Sequence, residues 1–269
     1  FPLSNSRSTK TAVNCLLNNA GRDDAHILWP TKKYSLDGNT LLSLAVDDLS
    51  IMYPLIKASR LGLLSSTNKS KVTSLFSNYF NQLESDYNNV EHIYHFKYGD
   101  SFWADGVALP WNMSNMIGLN LIEAYLNTSD VRYLSRLNSI ADSFNREIYF
   151  NQQDFSLYWS YWPSFYYIGW STSDGISKNF PEKNTSADYL YEDVLHAGIN
   201  VKFIYEYTTL IGEATFSYEK LGYLKNTYNK LKVGSKYARF ISGDVIYSKP
   251  SLRFSPDYGW SEFNDERVV

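Results

Sequence analysis

Trp111-Asn112-Met113-Ser114-Asn115-Met116-Ile117-Gly118-Leu119-Asn120-Leu121-Ile122-Glu123-Ala124-Tyr125-Leu126 is followed, four residues on, by Val131-Arg132-Tyr133-Leu134-Ser135-Arg136-Leu137-Asn138-Ser139-Ile140-Ala141. The two segments differ in kind. The first is apolar on nearly every side, with Met113, Met116, Ile117, Leu119, Leu121, Ile122 and Ala124. The second is amphipathic: Val131, Leu134, Leu137, Ile140, Ala141 and Phe144 recur at helical spacing among Arg132, Arg136, Asn138 and Arg146. A helix that is apolar all round is buried, and an amphipathic one covers it. Asn127-Thr128-Ser129-Asp130 supplies capping residues between them.

The same pairing recurs on both sides. Upstream, an apolar segment over Leu41–Leu61 precedes a second helix from about Lys69 to Tyr87. Downstream, Tyr191–Ile211 precedes a helix from about Ser217 to Val233, with Gly212 placed to end the leading member. Pro54 is expected to kink the first leading helix or end it early. Three pairs of buried-then-covering helices predict a mainly all-α fold. The expected form is an α/α toroid or partial toroid of helical hairpins, with leading helices inside and aromatic-rich loops or short hairpins between. With 269 residues and no Pro/Gly/Ser-rich linker, residues 1–269 read as one domain.

Composition bounds the function. The net charge is −3 and no basic stripe appears, which argues against nucleic acid. No apolar run reaches the roughly 20 residues that span a bilayer. Cys15 is the only cysteine, so neither an intrachain disulfide nor a cysteine-based metal site is available. The chain starts at Phe1, as it would after signal-peptide cleavage or truncation, and a secreted or periplasmic location is the expectation. His92 and His95 lie beside Glu91 without the spacing of a known metal motif. Walker, GxGxxG and GxSxG patterns are absent, so no metal and no cofactor is expected.

Polar residues on the buried helices are the ones to question, because burying them is costly unless they are paired or line a cavity. They gather toward the N-terminal halves: Asp47 and Asp48 in the first, Asn112 in the second, and Tyr191, Glu192, Asp193, His196 and Asn200 in the third. Glu192, His196 and Asn200 are four apart and predict one stripe on one helix face. If the inner helices run parallel, these groups share one pocket. Tyr158-Trp159-Ser160-Tyr161-Trp162-Pro163-Ser164-Phe165-Tyr166-Tyr167-Ile168-Gly169-Trp170 lies between helical patterns. Tyr and Trp offer a flat apolar face with a polar tip, a surface on which sugar rings stack. Tyr158, Trp159, Tyr161, Trp162 and Trp170, with Trp111, Asp47 and Asp48, are the candidate substrate-binding residues. The expected partner is a polysaccharide or oligosaccharide.

Gly106-Val107-Ala108-Leu109-Pro110-Trp111-Asn112, Met116-Ile117-Gly118-Leu119 and Ala124-Tyr125-Leu126-Asn127-Thr128-Ser129-Asp130 together resemble the helical domain of D-glucuronyl C5-epimerases and related α/α-toroid polysaccharide lyases. The similarity covers about Phe102 to Ile148, with weaker support from Tyr191 to Gly212. The β-rich domains that such epimerases carry upstream are absent from this sequence. The resemblance implies proton abstraction at C5 of a uronic acid, by a lyase or an epimerase. It implies a base among His196, Tyr189 and Tyr191, and Asn112, Asn200 or a protonated acid to neutralise the sugar carboxylate. Glu192 completes the candidate catalytic set. Two other readings stand beside it. One is a glycoside hydrolase pairing Glu192 or Asp193 with Asp47, Asp48 or Asp105. The other is a non-catalytic carbohydrate-binding protein.

Overall fold

A computed structural model describes residues 7–21, 28–185, 191–233, 236–243 and 258–264. Tyr189, one of the candidate bases, lies outside them. The described chain is mainly helical: α1 (Arg7–Asn19), α2 (Ala45–Arg60), α3 (Ser66–Leu83), α4 (Trp111–Thr128), α5 (Val131–Glu147), α6 (Ser164–Ile168), α7 (Val194–Glu206) and α8 (Tyr218–Leu231). Three two-stranded antiparallel hairpins decorate it: β1 (Tyr87–Asn88) with β2 (Ile93–Tyr94), β3 (Tyr149–Asn151) with β4 (Ser156–Tyr158), and β5 (Lys232–Val233) with β6 (Lys236–Tyr237).

The leading and covering roles fall where the hydrophobic pattern puts them. In α4, 14 of 18 residues are buried, against 6 of 17 in α5, so α4 is core and α5 its cover. The same contrast separates α2 from α3 and α7 from α8. Helix α4 is central and packs on both α2 and α7. Contacts advance in step along these helices. Asn120 Nδ2 donates to the Leu49 carbonyl (3.1 Å) and Asn127 Nδ2 to Ser59 Oγ (3.3 Å), while Asn115 Nδ2 donates to Asn200 Oδ1 (2.7 Å). A Cβ on Gly118 would come within 2.4 Å of the Phe203 ring, so a side chain here would force that buried ring to shift at the α4–α7 crossing. The three helices therefore run parallel, N-terminal ends together.

Caps fix the boundaries. Ser65 accepts from Asn68 N, Asp130 from Arg132 N, and Ser217 from Lys220 N, each at a helix start. Ser129, at φ 57°, turns the chain between α4 and α5. Two expectations need correction. Helix α2 starts at Ala45, so Leu41 lies outside it, and Leu41 and Leu61 are both exposed. Pro54 does not end the helix, which runs on to Arg60; Leu55, Ile56, Ala58 and Ser59 beyond it are all buried. Burial of that last turn outweighs the missing backbone hydrogen bond. Helix α7 continues into a π-helical turn, Tyr207–Ile211, ended by Gly212 at φ 129°.

At the C-terminal ends of the leading helices lies a feature the sequence reading missed. Glu123 (α4) and Glu206 (α7) are buried. Arg60 holds Glu123 through Nε (2.5 Å) and Nη2 (3.2 Å). Lys57 reaches Glu206 at 3.0 Å and Glu123 at 3.6 Å, and Lys202 reaches Glu206 at 3.3 Å. The Tyr53 hydroxyl also donates to Glu206 (2.5 Å). This network links α2, α4 and α7 at one end and leaves the other end for different chemistry.

Candidate functional site

The N-terminal ends of α4 and α7 meet the aromatic segment. Glu192 does not lie on α7: the helix begins at Val194, and Asp193 is its N-cap. Glu192 sits on an extended stretch, its N–H donating to the Trp159 carbonyl (3.2 Å) and its carbonyl accepting from Ile241 N (3.0 Å). The stripe of Glu192, His196 and Asn200 therefore breaks up. Glu192 and Asn200 point inward and are fully buried, while His196 faces solvent with 49% of its side chain exposed.

Glu192 Oε2 accepts from Trp159 Nε1 and from Asn200 Nδ2, and Asn200 Oδ1 in turn accepts from Asn115. Burial pushes the Glu192 carboxyl well above the ordinary range, with a further push from Asp193 that the two hydrogen bonds oppose. No cation contacts it among the described residues. The folded state thus keeps this proton to higher pH than the unfolded chain does. Stability from this group is full below the ordinary carboxylate value and falls as pH rises from there toward the raised folded value. Glu192→Gln should remove that decline. The gain in melting temperature of the variant over wild type should grow from near zero at about pH 4 toward neutral pH; a gain independent of pH would contradict the assignment.

Trp159 (1% exposed), Tyr158 and Trp111 are core residues, not sugar platforms. Trp159 is drawn inward by Glu192, and its ring meets Phe144 edge-on (5.6 Å), which packs on Trp111 (5.1 Å). The Tyr158 hydroxyl accepts from Lys230 and from Ser156. Asn112 is buried as well. Tyr167 is buried too, whereas Tyr161, Trp162, Tyr166 and Trp170 are half-buried and form a connected face. Trp162 stacks on Tyr166 (4.3 Å, 11° between planes), and Tyr166 meets Trp170 (5.7 Å). Trp103, 43% exposed, meets Trp162 edge-on at 6.3 Å. Tyr161 lies 5.4 Å from Trp162 and 5.3 Å from the His196 ring. Exposed Tyr191 flanks this face against Tyr158 (5.6 Å).

Asp193 and His196 form the feature of this face with most chemical potential. Asp193 Oδ1 accepts from Leu195 N (3.0 Å) and His196 N (3.2 Å), which fixes the carboxylate. Its Oδ2 lies 2.5 Å from His196 Nδ1. Burial pushes the Asp193 carboxyl up, but the hydrogen bond and charge of His196 and the two backbone N–H groups outweigh it, and the net shift is downward. With Nδ1 so engaged, Nε2 is the free ring nitrogen and has no partner among the described residues. Neighbouring Tyr161 is shifted the other way: burial first, then Glu192 and Asp193, raise its hydroxyl far above the usual tyrosine value. An N-cap Asp with His three residues on was visible in the sequence as Asp193-Val194-Leu195-His196, but its pairing was not read from it.

The other candidate carboxylates are engaged elsewhere. Asp48 is buried, accepts from Trp29 N (2.9 Å) and Leu28 N (3.3 Å), and is raised by burial. Half-buried Asp47 lies beside it in the first turn of α2. Asp105 takes bonds from Ser177 Oγ (2.6 Å) and the N–H groups of Gly99, Lys178 and Asn179, so it staples two loops. Among the described residues no group of His, Cys, Asp or Glu is arranged to hold a metal ion, and no helix is long and apolar enough to cross a membrane. Comparison with protein-family models, with curated proteins and with solved structures finds no match to this chain.

Proposed function

We propose that this chain is a carbohydrate-active enzyme that removes the C5 proton of a uronic acid unit in a polysaccharide, with His196 as base and Tyr161 as acid. The observation that carries it is the exposed His196, oriented through Nδ1 by the capped Asp193, in ring contact with a tyrosine that keeps its proton. His196 Nε2 takes the C5 proton, and the C–H bonding pair moves into the adjacent carboxylate system. That pair then forms the C4–C5 double bond as the C4–O bond breaks and Tyr161 gives its proton to the leaving glycosidic oxygen, or it forms a new C5–H bond with the Tyr161 proton on the opposite face. The first outcome is lyase chemistry and the second epimerisation. Trp162, Tyr166, Trp170 and Trp103 offer rings on which the sugar chain stacks. Lys183, with Nζ 4.6 Å from the Tyr166 ring centroid, supplies positive charge for a sugar carboxylate. The parallel leading helices α2, α4 and α7, each with its cover, support a partial α/α toroid with the site at the N-terminal end of the inner layer.

The hydrolytic alternative needs two available carboxylates. Glu192 is buried, and Asp48, Asp105 and Asp193 are held by hydrogen bonds, so little favours it. The test uses His196→Ala and Tyr161→Phe on uronate polysaccharides. Each should lower turnover by roughly 10²-fold or more, the usual scale for a positioned acid or base, with the melting temperature of His196→Ala within a few degrees of wild type. Full activity in either variant would remove that residue from the mechanism.

A further inference from the structure

A cavity is lined by none of the residues of the aromatic face. The N-terminal end of α2, the C-terminal end of α3 and the 95–102 segment enclose this cavity of about 490 Å³, a size that suits a small organic ligand. Part of the lining is apolar: Leu41, Leu42, Leu44, Leu83, Phe96 and Phe102. The lining also carries Asp86, Asp100, Lys97 and His95, with Asp48 and Tyr79.

The charges of the lining do not cancel. His95 is committed: Nδ1 lies 2.9 Å from the Gly106 carbonyl and Nε2 2.8 Å from Glu91. Lys97 reaches Asp100 only at 3.8 Å, and 68% of its side chain is in solvent. Asp48 is buried and held by the backbone of Leu28 and Trp29. Asp86 and Asp100, both lining the cavity, are left with one loosely placed cation, Lys97, near them. Both are raised, first by burial; Asp100 adds to the rise of Asp86, and Asp105 to that of Asp100, against the pull of Lys97. A carboxylate ligand would add a like charge beside these aspartates, so the cavity is unsuited to the uronate proposed for the aromatic face. A positive group would relieve both aspartates at once.

We propose that this cavity binds a small organic amine in its ammonium form, with the nitrogen at Asp86 and Asp100 and the hydrocarbon body against Leu42, Leu83 and Phe102. The apolar lining supplies contact area and the aspartates supply selection by charge. This inference does not rest on the His196 chemistry and can stand if that chemistry fails.

The test compares three ring compounds of similar shape on the intact chain by calorimetric titration: cyclohexylamine, cyclohexanol and cyclohexanecarboxylate. The amine should bind one to one, the alcohol at least about tenfold more weakly, and the carboxylate not measurably. Asp86→Asn with Asp100→Asn should bring the amine down to the level of the alcohol, while His196→Ala leaves all three unchanged. Equal affinity for amine and alcohol, no binding of the amine, or unchanged amine affinity in the double variant would each overturn the proposal. The wild-type comparison decides the matter even if the double variant does not fold.

Discussion

Glu123→Ala should destabilise the fold by about 3 kcal/mol, the low end of the range for breaking a buried ion pair. Glu123 is fully buried on α4 and is the bidentate partner of Arg60 on α2. Its removal leaves the Arg60 guanidinium, 23% exposed, without its hydrogen-bonded carboxylate and takes from Lys57 one of the two carboxylates beside it. The partial exposure of Arg60 lets water recover some of the loss, which keeps the effect from the upper end. Urea unfolding measures it. Arg60→Met combined with Glu123→Met should restore most of the stability, because an apolar pair of similar volume avoids the desolvation of two charges. A loss below about 1 kcal/mol in Glu123→Ala would place the pair among ordinary surface ion pairs.

Trp159→Ala and Trp162→Ala should behave in opposite ways. Trp159 is buried, packs on Phe144 and donates to Glu192, so its truncation should cost about 3–5 kcal/mol, the range for emptying a large aromatic site. Trp162 is half-buried and stacks on Tyr166 at the surface, so its truncation should cost only about 1 kcal/mol. On the proposed reading it should weaken saccharide binding about tenfold. Thermal melts and binding isotherms of the two variants check this. Large destabilisation by Trp162→Ala, or its absence in Trp159→Ala, would reverse the division of the aromatic segment into core and surface.

How much was legible in the sequence follows from the range of the forces involved. The paired helices were readable because hydrophobic periodicity and caps are local. Asp130 and Ser217 cap where the pattern predicts. The end of α2 was not, because the burial that carries the helix past Pro54 comes from packing on α4. Helical spacing put Glu192 and His196 on one face, but Asp193 caps the helix between them and sends their side chains to different environments. Trp159 looks like Trp162 in the sequence, and only the distant partners Glu192 and Phe144 distinguish them. The Arg60–Glu123 and Lys57–Glu206 pairs join residues 63 and 149 positions apart. Their signal was a single acid inside an apolar run, Leu121-Ile122-Glu123-Ala124 and Phe203-Ile204-Tyr205-Glu206. The cavity draws its wall from three separated segments and has no linear signature.

The central claim is that His196 takes the C5 proton of a uronic acid, with Tyr161 as the acid. It is tested most directly by incubating the chain with uronate-containing polysaccharides in D2O and reading the C5 position. The account predicts that the C5 proton is lost. Cleavage with an unsaturated uronate product would mark a lyase, and deuterium at C5 in an uncleaved chain an epimerase. New reducing ends with every C5 proton retained would contradict it and point to hydrolysis instead.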